Sequence, residues 1–287
     1  GTQCGTQCRT QCRACIGYHS PAAQYRRRPP QRMRKQLTNV KAVVIGATGA
    51  CGRYAVDGLV RSASTEKVTV IVRREYDFAA EFGWNAEEGA KLTQSVVPDF
   101  DELKSSPDVW EGHTVAICAL GTTRKAAGSA DVFVKVDRDY VASAAELAKK
   151  ASVSRFCLLT AQGTRKVPSL FPHSMISIVH PLLYTQTKFE AEAVVKAQNF
   201  SNLSIFRPGL LDRRVPGADK RYLESALLNV VPSTKASTVG YAMAEDATTE
   251  PASELLECTS SDIEKLALAH ETRNNAGVED STPVAPS

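Results

Sequence analysis

Two side chains in the second half of the chain have the types and spacing for proton chemistry. Tyr184 and Lys188 stand four positions apart in "LLYTQTKFEAE". A free phenol, with a pKa of about 10, is a poor acid or base near neutrality. An ammonium nearby stabilises the phenolate and makes the group useful. Spacing i, i+4 places both on one helical face, about a turn apart. The same spacing arises often by chance, so the pair has meaning only through what the chain builds around it. Two ordinary residues on a helix surface are the alternative.

A second chemical signal lies upstream. The β-branched run "VKAVVI" ends in Gly46-Ala47-Thr48-Gly49-Ala50-Cys51-Gly52, and helical spacing follows in "RYAVDGLVRSA". Glycines there let the backbone turn tightly against a pyrophosphate, whose charge lies at the positive end of the next helix. A strand before and a helix after are the context that gives such a pattern weight. The next strand, "KVTVIVRR", ends in Arg73-Arg74, with Glu75 beyond them. Guanidinium forks match the 2′-phosphate of NADP(H), whereas an acid at that point suits NAD. Two solvated surface arginines are the alternative. Asp99, in "SVVPDFDEL", has the position to accept from an adenine amine, or is a plain loop acid. In "LGTTR", Leu120, Gly121, Thr122 and Thr123 end a further strand, where Gly121 lets the backbone lie beside a cofactor.

The elements that must position these residues alternate. A strand is expected in the run 40–49 that ends in the glycines, and others at 67–74, 113–121, 154–160 and 203–209, with helices after the glycine turn, over 131–151 and over 184–198. That pattern predicts an α/β fold: a Rossmann-like, doubly wound parallel sheet with helices on both faces and a small C-terminal extension on the substrate side. Its boundaries are drawn at 39–273. Residues 1–38 are expected to be a disordered, basic, Cys- and Arg-rich extension, and 274–287 a disordered tail.

Charge and cysteine usage support that division. Residues 1–41 hold nine of the 35 basic residues and no acid, leaving 26 basic against 31 acidic residues in the body. A mildly acidic body carries no footprint for nucleic acid. No stretch approaches the roughly 18 apolar residues of a membrane span. Cys4, Cys8, Cys12 and Cys15 follow from the "TQC" repeat, so no metal site is assigned to them. The scattered Cys51, Cys118, Cys157 and Cys258 read as single thiols of a reducing compartment. The location expected is cytoplasmic. The Arg-rich leader keeps a mitochondrial one, in the matrix or peripheral to the outer membrane, as the alternative.

Taken together, "VIGATGACGR", "VTVIVRR", "ALGTTRKAAGSADVFVKVDRDYVASAAELAKKA", "LLTAQG", "YTQTKFEAE" and "LSIFRPGLL" resemble the atypical short-chain dehydrogenase/reductases. Within these, the similarity is to the oxidoreductase family named for the HIV Tat-interactive protein. It spans about residues 40–270. The resemblance implies one Rossmann-like domain binding NADPH, with regulatory roles and protein partners in animals and mitochondrial association in fungi. It also implies roles for single residues. Lys188 would hold the nicotinamide ribose hydroxyls, Thr160 would orient a carbonyl oxygen, and Pro208 and Gly209 would line the nicotinamide pocket. The expected activity is hydride transfer to or from a carbonyl or alcohol, using Tyr184 and Lys188. An NADPH-sensing regulatory protein with little turnover is the second reading. Two departures stand out: segment 164–181 is longer than usual, and Thr160-Ala161 stands where relatives carry two serines.

Overall fold

The apolar run Val40–Ile45 forms strand β1. Thr65–Val72 (β2) and Leu92–Val96 (β3) lie to one side of it. To the other side lie Val115–Cys118 (β4), Arg155–Leu159 (β5), Asn202–Phe206 (β6) and an edge strand, Leu255–Cys258 (β9). The order is β3-β2-β1-β4-β5-β6-β9, and each neighbouring pair runs parallel. The expected doubly wound sheet is therefore present. Between β6 and β9, Leu210–Asp212 (β7) pairs with Ser233–Lys235 (β8) in a separate two-stranded ribbon. The computed structural model describes residues 34–166, 180–213 and 233–279.

Parallel strands buried on both faces explain the continuous apolar runs. Neighbours along β1 serve opposite layers. Val44 joins Leu59, Val239 and Met243 on one side, while Ile45 joins Trp110, Phe156 and Val195 on the other. The first layer is roofed by helices α1 (Gly52–Arg61), α8 (Ala236–Thr248) and α9 (Ser260–Glu279). Over the second lie α6 (Tyr140–Lys150) and α7 (His180–Ala197). Short helices connect the rest: α2 (Phe78–Phe82), α3 (Ala86–Ala90), α4 (Arg124–Ala127) and α5 (Ala130–Val134). Each fully buried Phe or Ile side chain contributes roughly 2 kcal/mol of transfer free energy to this sandwich.

Three differences from the sequence expectations bear on the site. The single helix expected over 131–151 is α5 and α6 joined by one wide π turn, Lys135–Asp139. The helix carrying Tyr184 starts at His180, because Pro181 fits a first turn, where a missing N–H costs nothing. The boundaries also move outward. Ahead of residue 39, Leu37 N donates to Thr248 O (2.9 Å), Glu250 N to Lys35 O (2.8 Å) and Arg34 pairs with Asp246 (2.7 Å). At the other end α9 runs past 273 to Glu279. The cysteine-rich stretch of the leader, residues 167–179 of the insert, 214–221 of the charged loop and 280–287 of the tail lie outside the described residues. Among the described residues no helix is long and apolar enough to cross a membrane.

Candidate functional site

The turn after β1 is shaped by backbone crowding. Gly46 has φ +80°, and a Cβ there would sit 2.6 Å from the Ala119 carbonyl carbon and oxygen. A Cβ on Gly52 would run into the carbonyl oxygen of Gly46. The absence of a side chain at both positions lets the turn lie against the end of β4 and α1 sit on the turn, as close helix–strand packing at a dinucleotide site requires. Gly49 N donates to Gly46 O (3.0 Å), which closes the turn.

Beside this turn, at the ends of β1, β4 and β5, lies a cavity of about 190 Å3. Strand order reverses between β1 and β4, and ligands of open α/β sheets bind at that point. Of the residues singled out by sequence, the cavity gathers Gly49, Ala50, Cys51, Leu120, Gly121, Thr122, Thr123, Thr160, Tyr184 and Lys188. It adds Ala119, Leu159, Leu211, Arg213 and Asp137. Burial pushes the Cys51 thiol up to about 12 against the opposing charge of Arg213, so the thiol is an inert neighbour.

Lys188 is nearly buried, and its Nζ lies 2.7 Å from Oδ1 of Asp137, whose side chain is 1% exposed. The other oxygen of Asp137 accepts the Thr122 N–H at 2.8 Å. Burial alone would pull the Lys188 pKa down. The Asp137 charge, with a smaller contribution from Tyr184, outweighs it and holds the ammonium above its usual value. The Tyr184 ring rests near Phe133, with centroids 6.0 Å apart.

Thr160 occupies its expected place after β5, but its hydroxyl donates to Glu192 Oε1 (2.8 Å). Glu192 continues the face of α7 begun by Tyr184 and Lys188, four residues further on. It also accepts from Thr164 (3.2 Å) and from the Arg207 guanidinium through Nε (2.9 Å) and Nη2 (2.5 Å). Arg207→Met should leave this nearly buried carboxylate without its cation. The expected cost is on the order of 2 kcal/mol, read as a lower urea midpoint with an unchanged slope. An unchanged midpoint would show that the two threonine hydroxyls suffice.

The remaining sequence candidates lie outside the cavity lining. Gly46, Thr48 and Gly52 belong to the turn but not to the cavity lining, and Thr48 is exposed. Arg73 and Arg74 follow β2 as exposed residues with no ion pair among the described residues. Asp99 is exposed and caps the next turn, accepting from Asp101 N (2.9 Å). Pro208 is buried behind β6, its carbonyl accepting from Gln162 N (2.8 Å), and Gly209 N donates to Ser260 Oγ (3.0 Å). Arg53, which was not singled out, lies over the turn. It donates to the Gly49 and Thr48 carbonyls (3.4 and 3.3 Å) and pairs with Glu81 (2.9 Å). Its position directly after Gly52 was the available signal.

An NAD(P)H-binding family profile matches residues 46–245. The protein HTATIP2 of Rattus norvegicus is 36% identical over 209 residues, covering 72% of this chain and 77% of that protein. The mitochondrial protein fmp52 of Emericella nidulans is 31% identical over 201 residues, covering 67% and 78%. Among solved structures, a putative NAD-dependent epimerase/dehydratase from Bacillus halodurans superposes with a TM-score of 0.54. It has 18% identity and covers 80% of this chain and 99% of that one. At that identity the likeness concerns the fold. The turn held open by Gly46 and Gly52 and the cavity beside it fit a nicotinamide dinucleotide.

Proposed function

Because the chain belongs to the NAD(P)H-binding family, in the atypical short-chain dehydrogenase/reductase branch that includes HTATIP2, we propose that it is an NADP(H)-dependent oxidoreductase acting on a carbonyl or alcohol. One observation carries this reading. Tyr184 and Lys188 share a cavity with the Gly49–Cys51 turn and the 119–123 loop, so proton-handling groups and dinucleotide cradle face one space.

The turn and the N-terminus of α1 would take the pyrophosphate, the 119–123 backbone would flank the nicotinamide half, and Lys188 would reach the ribose hydroxyls. When bound, the cofactor supplies or accepts the hydride. Tyr184 Oη donates the proton to the oxygen that becomes the alcohol, and the Lys188 ammonium stabilises the phenolate left behind. Thr160, whose proton goes to Glu192, acts by fixing the floor of the site. The test is NADPH consumption across a panel of aldehydes and ketones, with the wild-type protein read against Tyr184→Phe.

For cofactor choice, Arg73 and Arg74 are the proposed partners of the 2′-phosphate. The double substitution Arg73→Ala, Arg74→Ala should weaken NADPH binding about tenfold or more, as expected on losing charge-assisted bonds. NADH affinity should stay within about twofold, and equal losses for the two would sink the assignment. A regulatory reading, in which the protein senses NADPH and turns over slowly, is favoured by one feature. The Thr160 hydroxyl is committed to Glu192, and Ala161 offers none. In that reading other proteins are the partners. The fungal relatives named as mitochondrial make that compartment a further part of the proposal, beside a cytoplasmic one.

A further inference from the structure

The wide turn Lys135–Asp139 interrupts an otherwise regular helix. Single π turns are rare within α-helices and are frequent at functional sites. Here the turn carries two side chains to α7. Arg138 Nη1 pairs with Glu190 at 2.9 Å, toward the surface. Asp137 pairs with Lys188 at 2.7 Å in the interior, the two side chains being 1% and 6% exposed.

Asp137 also faces the cofactor side. Its Oδ2 accepts the Thr122 N–H, and Gly121 lies directly in front of the pair. A Cβ there would come within 3.4 Å of Lys188 Nζ and 3.5 Å of Asp137 Oδ1. One carboxylate thus holds two things at once: the ammonium beside Tyr184 and the backbone of the loop that flanks the nicotinamide half. The titratable groups bearing on Lys188 are Asp137 from the wide turn, Tyr184 from its own helix and Cys118 from β4. Asp137 is the carboxylate in this set. A buried ammonium that loses its counter-charge is strongly disfavoured.

We propose that Asp137 is the positioning residue of this site, aiming the Lys188 ammonium at Tyr184 and tying it to the Gly121–Thr122 backbone. The proposal rests on the oxidoreductase reading for its functional half and on geometry alone for the pairing. Asp137 touches neither reacting atom and acts through Lys188.

The test is a double-substitution cycle of Asp137→Asn, Lys188→Met and the two together, in the full-length protein. The double variant removes both charges and leaves no buried ion unpaired, so it is expected to fold even if Asp137→Asn alone is too unstable to purify. Three quantities are read. The first is the pH titration of the Lys188 Cε resonance in lysine-labelled protein, assigned by its loss in Lys188→Met. The second is NADPH affinity by fluorescence, and the third is the rate on the carbonyl panel. In Asp137→Asn the Lys188 amine should lose its proton at lower pH than the other lysines, where the wild-type residue keeps it. The rate constant kcat should fall at least about tenfold. Adding Asp137→Asn to Lys188→Met should change rate and affinity by less than about twofold, because the ammonium is gone and the Asn amide oxygen still accepts the Thr122 N–H.

An unchanged Lys188 titration, or effects of the two substitutions that multiply, overturns the proposal. A wild-type protein that consumes no NADPH with any carbonyl overturns the reductase reading instead. The Lys188 titration and the NADPH affinities of the cycle then still decide whether Asp137 positions Lys188.

Discussion

Tyr184→Phe is expected to lower carbonyl reduction by about 10²–10⁴-fold, the range for loss of a positioned general acid. NADPH affinity should stay within about threefold. The substitution removes one oxygen and keeps the ring, so the packing against Phe133 at 6.0 Å survives. Lys188 stays paired with Asp137 and remains available to the ribose hydroxyls. The loss should therefore fall on kcat rather than on binding, the mark of an interaction made at the transition state. The size of the expected loss follows from what else lines the cavity. The other hydroxyl expected at the reacting carbonyl, on Thr160, donates to Glu192, and Ala161 has none. The Thr160 hydroxyl, committed to Glu192, is not free to take over Tyr184's proton transfer. A Phe variant that turns over at the wild-type rate would remove Tyr184 from the chemistry. Tight NADPH binding without turnover in either protein would support the sensing role.

How much of this was legible in the sequence depends on whether a signal is local. The glycine turn is local: strand, turn and helix follow one another within residues 40–61, and the crowding at Gly46 and Gly52 comes from that unit and the end of β4. The Tyr184–Lys188 spacing is local as well. Asp137 was not legible. In "FVKVDRDYVASAAEL" it reads as one more charge on the polar face of an amphipathic helix, and a regular helix would leave it there. The wide turn shifts the register, and only the packed α7 shows what the shift is for. Thr160 follows β5 and lines the cavity, yet its hydroxyl direction was not deducible. That direction is set by Glu192, 32 residues on, and by Arg207 beyond it. Strand β9 was not expected because Leu255–Cys258 is a short edge strand with Leu255 exposed, lacking the continuous apolar run of the central strands.

Gly52→Val should abolish dinucleotide binding, with NADPH affinity down about 100-fold or more, because displacing a positioning element by about 1 Å has effects of that order. The atoms a side chain at 52 would meet are all backbone: the Gly46 carbonyl group and the Ala47 Cα at 3.1 Å. No rotamer relieves such contacts. The strain can be released only by lifting α1 off the turn or by moving Gly46. Gly46 has little room to move toward β4, since even a Cβ built on it would come within 2.6 Å of the Ala119 carbonyl and 2.7 Å of Leu120 N. The helix must give way, carrying its N-terminal N–H groups away from the pyrophosphate position. Overpacking of this kind also costs stability, about 1–3 kcal/mol, so binding and folding have to be separated. Two comparisons do so. Gly49→Ala would bring a Cβ to 3.1 Å from the Gly46 oxygen, a contact the turn relieves by a small shift, and should give an intermediate loss of affinity. Gly89→Ala, in α3 with nothing within 4 Å, should leave affinity unchanged and raise stability by roughly 0.5–1 kcal/mol. If Gly52→Val still binds NADPH as the wild type does, the cofactor does not lie on this turn, and the roles given to Lys188 and the 119–123 loop fall with it.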